Sequence, residues 1–96
     1  MEVARTILEQ LGGNRFVAMT GAKNLVGGAN SLSFRIGRNA HSINGVRITL
    51  LPSDTYKMEF LRIRKLEVKV VKEYEQVYFD QLQELFTEAT GLYTHL

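Results

Sequence analysis

The chain contains no cysteine and no tryptophan, a single proline, and only two histidines, His41 and His95. Without cysteine there is no disulfide framework and no thiolate zinc site. Neither histidine falls in a metal-binding spacing such as HExxH, so no metal is expected, and both read as solvated loop or tail residues. A catalytic triad would have to recruit one of them. Ser42 beside His41 does not qualify, because adjacent side chains of an extended chain point to opposite sides. Long apolar runs are also missing. None approaches the roughly 20 residues that span a membrane, so no membrane association is expected. The opening stretch MEVARTILEQ is mixed and amphipathic, unlike a signal peptide.

Charge of one sign is absent from part of the chain. All 12 Lys and Arg lie in residues 1–72, and the last 24 residues carry five acids and no Lys or Arg. Such a division predicts two differently charged surfaces. It can serve attraction between sheet and helix and ordinary solubility, or it can present a basic recognition face.

What is present suffices for one domain over residues 1–96, with 45% apolar residues to supply a modest core. Val3, Ile7, Leu8 and Leu11 make one stripe and predict a helix over residues 2–11, stopped by Gly12, Gly13 and Asn14. Residues 16–20 read as a strand. Leu32, Phe34 and Ile36 alternate with Ser31, Ser33 and Arg35, and Val46, Ile48 and Leu50 alternate with Arg47 and Thr49, which predicts two half-buried strands. Asn44-Gly45 is a favoured tight-turn pair, and Pro52-Ser53-Asp54 marks the next turn. Residues 55–64 and 66–72 predict two further strands. From about Glu75 the helical period returns, with Tyr78, Leu82, Leu85, Phe86 and Ala89 on one face and Gly91 as cap. The expected class is α+β: an antiparallel sheet of four or five strands with N- and C-terminal helices packed on one face.

The glycines of RFVAMTGAKNLVGGANSLSFRI raise the question of a phosphate-cradling loop. A P-loop requires a Lys-Ser/Thr pair and a following helix N-terminus, and a dinucleotide site requires GxGxxG in a βαβ unit. Neither is present, so no nucleotide or other cofactor is expected. Residues 21–30 read as turns and a flexible loop, in which Lys23 and Asn24 are candidate binding residues. Glu84 and Glu88 are helix neighbours four residues apart and read as a solvated face. No catalytic set emerges, and the expectation is a protein that is not an enzyme.

The basic residues carry the stronger signal. Arg35 and Arg47 take the polar side of their alternations. In residues 56–64 one parity begins apolar and turns basic, while the other does the reverse. A bulge near Leu61 would reconcile them and set Arg62, Arg64 and Lys69 beside Arg35 and Arg47. Guanidinium groups so gathered would bind phosphate in forked geometry. Glu59 and Glu67 interrupt the patch, and no stacking set of aromatics accompanies it, so an acidic protein surface is an equal target. The exposed acids Glu75, Asp80, Glu84 and Glu88 offer the opposite handle, a face for a basic groove.

The segments RFVAMTGAKN, NSLSFRI, VRITL, DTYKMEFLRIR and VYFDQLQELFTEATGLYTHL resemble a group of small, uncharacterised phage and prophage proteins, over residues 8–96. The group carries no activity from which a functional residue can be transferred. The resemblance implies a bacterial host cell, a cytoplasmic location and an accessory phage role. The leading expectation is a non-enzymatic protein that binds a host nucleic-acid-handling or defence protein, as an inhibitor. The alternative is low-specificity binding of DNA or RNA through Arg35, Arg47, Arg62, Arg64 and Lys69. A monomer or a homodimer, paired through an open sheet edge, fits either.

Overall fold

The computed structural model describes residues 2–39 and 41–92. Two helices, α1 (Glu2–Leu11) and α2 (Gly13–Thr20), precede five strands: β1 (Lys23–Gly27), β2 (Ser31–Arg35), β3 (Gly45–Leu50), β4 (Tyr56–Arg64) and β5 (Glu67–Val77). A turn of 3-10 helix, Phe79–Gln81, leads into α3 (Leu82–Thr90). The strands form one antiparallel meander in chain order, β1-β2-β3-β4-β5. The helices pack on one face of it, as expected for the α+β class. The short axis of the molecule is 21 Å, the depth of one sheet plus one layer of helices.

Helix α1 buries Ala4, Ile7 and Leu11, a stripe at helical spacing. Gly12 and Gly13 both adopt positive φ. They end α1, yet the chain re-enters a helix at once. Residues 16–20, expected as a strand, are therefore the second half of α2. Phe16 and Thr20 are buried four residues apart, while Ala18 between them is exposed. A five-residue apolar run fits either period, and packing chose the helix: Phe16 stands edge-on to Phe34 of β2 and Phe86 of α3, at 5.5 and 5.0 Å between ring centres.

The glycine-containing stretch is not a loop throughout. Lys23–Gly27 is an edge strand on β2, with a break in register near Asn24, whose φ is 55°. Most of its side chains are exposed, so the ladder forms through backbone hydrogen bonds and leaves no alternation to read. Strands β2 and β3 follow the predicted alternation, with Leu32, Phe34, Val46 and Ile48 inside. Asn44-Gly45 is not a turn. Gly45 opposes Leu61 in the ladder, and a Cβ there would stand 2.7 Å from Ile63 Cδ1. The Asn44 amide extends the ladder: Nδ2 donates to the Ile63 carbonyl at 2.8 Å, and Oδ1 accepts from its N–H at 2.7 Å.

Strand β5 continues to Val77, well past Glu75, where a helix was expected. Tyr74 stands edge-on to Phe60, 6.0 Å between ring centres, and Val77 is buried. Tyr78 is consequently exposed, and its N–H is capped by Gln81 Oε1 at 2.9 Å. Leu82, Phe86 and Ala89 enter the core, Leu85 packs against it, and Gly91 closes α3 in the left-handed conformation. His95 lies outside the described residues.

Replacement of Phe16 by Ala is expected to lower the unfolding free energy by about 3–5 kcal/mol, since the ring is fully buried and both β2 and α3 pack on it. Replacement of the exposed Leu66 by Ser should stay within about 0.5 kcal/mol of the parent. Denaturant melts of the two variants check both values.

Candidate functional site

The expected break in register near Leu61 is present, but it lies in the neighbouring strand. Phe60 opposes Lys72 and Leu61 opposes Val70, so Val71 of β5 is the additional residue. Strand β4 itself keeps its alternation. Phe60 faces the helices, and Arg62 and Arg64 follow on the same side. Leu61 and Ile63 face the side without helices, against Gly45. Lys69, opposite Arg62, shares its side. The expected cluster of Arg35, Arg47, Arg62, Arg64 and Lys69 is thus divided between two faces of the sheet.

On the uncovered face, Asn24 and Arg35 border a shallow depression of about 210 Å³ floored by Gly45, Leu61 and Ile63. Lys23 is the cross-strand neighbour of Arg35. Arg35 Nε donates to the Asn44 carbonyl at 3.0 Å, which holds its side chain along the sheet. Arg47 is committed to Glu59: Nε and Nη2 donate to the two carboxylate oxygens at 2.9 and 3.1 Å. Lys57 lies 3.8 Å from Glu73 and 4.0 Å from Glu75. Glu75 therefore sits in β5 beside Lys57, apart from Glu84 and Glu88 on α3. Toward the β4–β5 turn this face becomes apolar. Val68 and Val70 are 62% and 44% exposed, and Leu66 at the turn is fully exposed.

The opposite face carries a second basic feature. Beyond the helices, the described residues of the connection from Ile36 to Asn44 border the end of β4 and leave a cleft of about 430 Å³, lined by Arg38, Arg62 and Arg64. Asn39 organises the connection. Its Oδ1 accepts from the N–H groups of His41 and Ile43, and its Nδ2 donates to the carbonyls of Gly37 and Ile43. Arg62 ties the connection to β4 by donating from Nε to the Ser42 carbonyl and from Nη2 to the His41 carbonyl, both at 3.3 Å. Among the described residues, none of these three arginines has an ion-pair partner. Arg38 escapes sequence reasoning because periodicity assigns no direction to a loop residue. The Gly37-Arg38-Asn39 sequence, a basic residue between two turn formers, was the available signal.

His41 is exposed, with Ser42 next to it at φ 57°. Among the described residues no three histidine or carboxylate side chains gather as a metal cluster. No helix among them is long and apolar enough to cross a membrane. No protein-family model matches the chain, and no curated protein and no solved structure gives a significant match.

The Arg47 guanidinium, by hydrogen bond and then by charge, holds the Glu59 carboxyl below its ordinary range against the opposing effect of burial. Lys57 adds to this. A depressed folded-state value means that the stabilisation is present above the unfolded value of about 4.3 and is lost as pH falls through the folded one. Unfolding free energy is therefore expected to drop on acidification below about pH 4.5, with a smaller drop in Glu59→Gln. Arg47→Leu leaves a nearly buried carboxylate unpaired and should cost about 1–2 kcal/mol at neutral pH, between the values for exposed and buried pairs. Equilibrium unfolding as a function of pH checks both.

Proposed function

We propose that this protein is a binding module without bond-making chemistry, and that the uncovered face of its sheet docks a protein. The observation that carries this reading is the apolar end of that face, where Leu66, Val68 and Val70 stand exposed beside Leu61 and Ile63. Apolar side chains bordered by fixed charges of both signs resemble an interface centre with its polar rim. Lys23 and Arg35 border it on one side, and the Lys57, Glu73 and Glu75 group on the other.

The partner in this reading is a bacterial host protein that handles nucleic acid or acts in defence, met in the cytoplasm and inhibited by occupation. The setting comes from the resemblance to phage and prophage proteins, and the mode of binding comes from the sheet face. Direct binding of nucleic acid on this same face is the weaker reading. Arg47 is neutralised by Glu59, and Glu73 and Glu75 on the same face would repel phosphate. Pairing of two copies through the β5 edge is disfavoured. Irregularities at Val71 and Gln76, with Lys69 and Lys72 along the strand, disturb the free edge of β5 in the manner that discourages edge-to-edge pairing.

The test is capture from a nuclease-treated bacterial lysate, with the parent protein and a Val68→Asp/Val70→Asp variant as baits. A partner that survives nuclease treatment should bind the parent at least about 10-fold better than the variant, as loss of central apolar contacts implies. Matched thermal melts verify that the variant is folded. Failure to retain any protein on the parent would defeat the proposal.

A further inference from the structure

The cleft between the Ile36–Asn44 connection and the end of β4 plays no part in the docking reading, because it opens on the other face of the sheet. Three arginines line it together, Arg38, Arg62 and Arg64. Like charges converge at an energetic cost unless an anion sits among them. Within the described protein no carboxylate is paired to any of the three. The acid opposite Arg64 in the ladder, Glu67, is exposed and forms no ion pair there, and Lys69 opposite Arg62 adds a further positive charge.

The donors are also partly fixed in advance. The Asn39 and Asn44 amides are occupied in holding the connection and the ladder. Arg62 uses one Nε and one Nη2 hydrogen on backbone carbonyls, and of its five N–H donors the remaining three are free. Arg38 and Arg64 donate no hydrogen bond to the described protein, so their forks are available in full. A planar carboxylate offers two oxygens on one edge. A phosphate group offers oxygens in several directions and suits forks that arrive from more than one side.

We infer that this cleft is a binding site for a phosphate group, either as a free anion or as part of a nucleic-acid strand. Arg38, Arg62 and Arg64 supply the contacts, and Arg62 has the second task of holding the connection in place. The site lies outside the face on which the sequence alone would have gathered the basic residues.

The experiment follows the arginine Nε–Hε resonances of the intact protein while inorganic phosphate, and separately a short oligothymidylate, is added at low salt. A charge-matched polyglutamate serves as the carboxylate comparison. The Arg38→Gln/Arg64→Gln variant leaves Arg62 and its loop contacts intact. An Arg5→Gln/Arg15→Gln variant removes the same charge from exposed helix positions. Saturable shifts at Arg38, Arg62 and Arg64 are expected in the parent and in the second variant, while in the first variant the remaining Arg62 resonance should no longer shift. Response to both probes assigns the phosphate of a strand, and response to inorganic phosphate alone assigns a free anion. With the oligothymidylate, affinity should fall at least about 10-fold in the cleft variant, and the salt slope should fall by about 0.7, for one phosphate no longer neutralised. The inference is overturned if neither probe shifts these resonances, if the two variants weaken binding alike, or if polyglutamate binds as well as oligothymidylate. None of these results bears on capture of a protein by the opposite face.

Discussion

Phe16, Phe34, Phe60 and Phe86 meet at the centre of the molecule, one each from α2, β2, β4 and α3, and their contacts decide which side of the sheet is inside. Every side-chain direction on the strands follows from that choice, because neighbours along a strand alternate between faces. With Phe34 inside, Arg35 must face out. With Phe60 inside, Arg62 must lie on the helix side, and only the end of the helical cover leaves it room. The distribution of charge over the surface is thus a consequence of aromatic packing, fixed before any partner is considered.

The same constraint explains why one end of the sheet is unlike the rest. Past Phe60, the helices no longer cover the inner side, and the connection from Ile36 to Asn44 takes their place. The change depends on two neighbouring residues. Gly45 has no side chain and accepts Ile63 against the backbone, while Asn44 carries the β3–β4 ladder one step further with its amide. Apolar residues therefore occupy the outer face where polar ones would be usual, and arginines occupy the inner side where apolar ones would be usual. This inversion produces both surface features, the apolar end of the open face and the basic cleft behind it.

Pairing separates the arginines into two kinds. Arg47 lies in forked contact with Glu59 and is spent on local order, on a face already balanced by Lys57, Glu73 and Glu75. Arg38, Arg62 and Arg64 have no such partner among the described residues, and their charge is directed at solvent. An unpaired guanidinium held by loop geometry gives a stronger field at a chosen point than a larger number of paired ones. Counting basic residues along the chain could not distinguish the two kinds.

The class of fold was legible because it rests on local patterns. Alternation in β2 and β3, the stripe of α1, the turn at Pro52 and the face of α3 from Leu82 to Ala89 each reflect burial against a layer, and burial leaves its period in the sequence. Other parts were hidden for definite reasons. Helix α2 is too short for its period to stand apart from that of a strand, β1 forms by backbone pairing with its side chains exposed, and β5 runs on because Tyr74 and Val77 find room inside. The polar positions of Arg35 and Arg47 were legible from alternation, but the grouping of the basic residues was not. Which arginines share a face depends on which strand takes up the extra residue, and that is settled by the fit of β5 against β4, far from any pattern in β4 itself. The sequence by itself determined one antiparallel sheet with helices on a single side. Only the tertiary structure decided that its basic residues divide between two faces, because direction on a strand is inherited from the register with its neighbour.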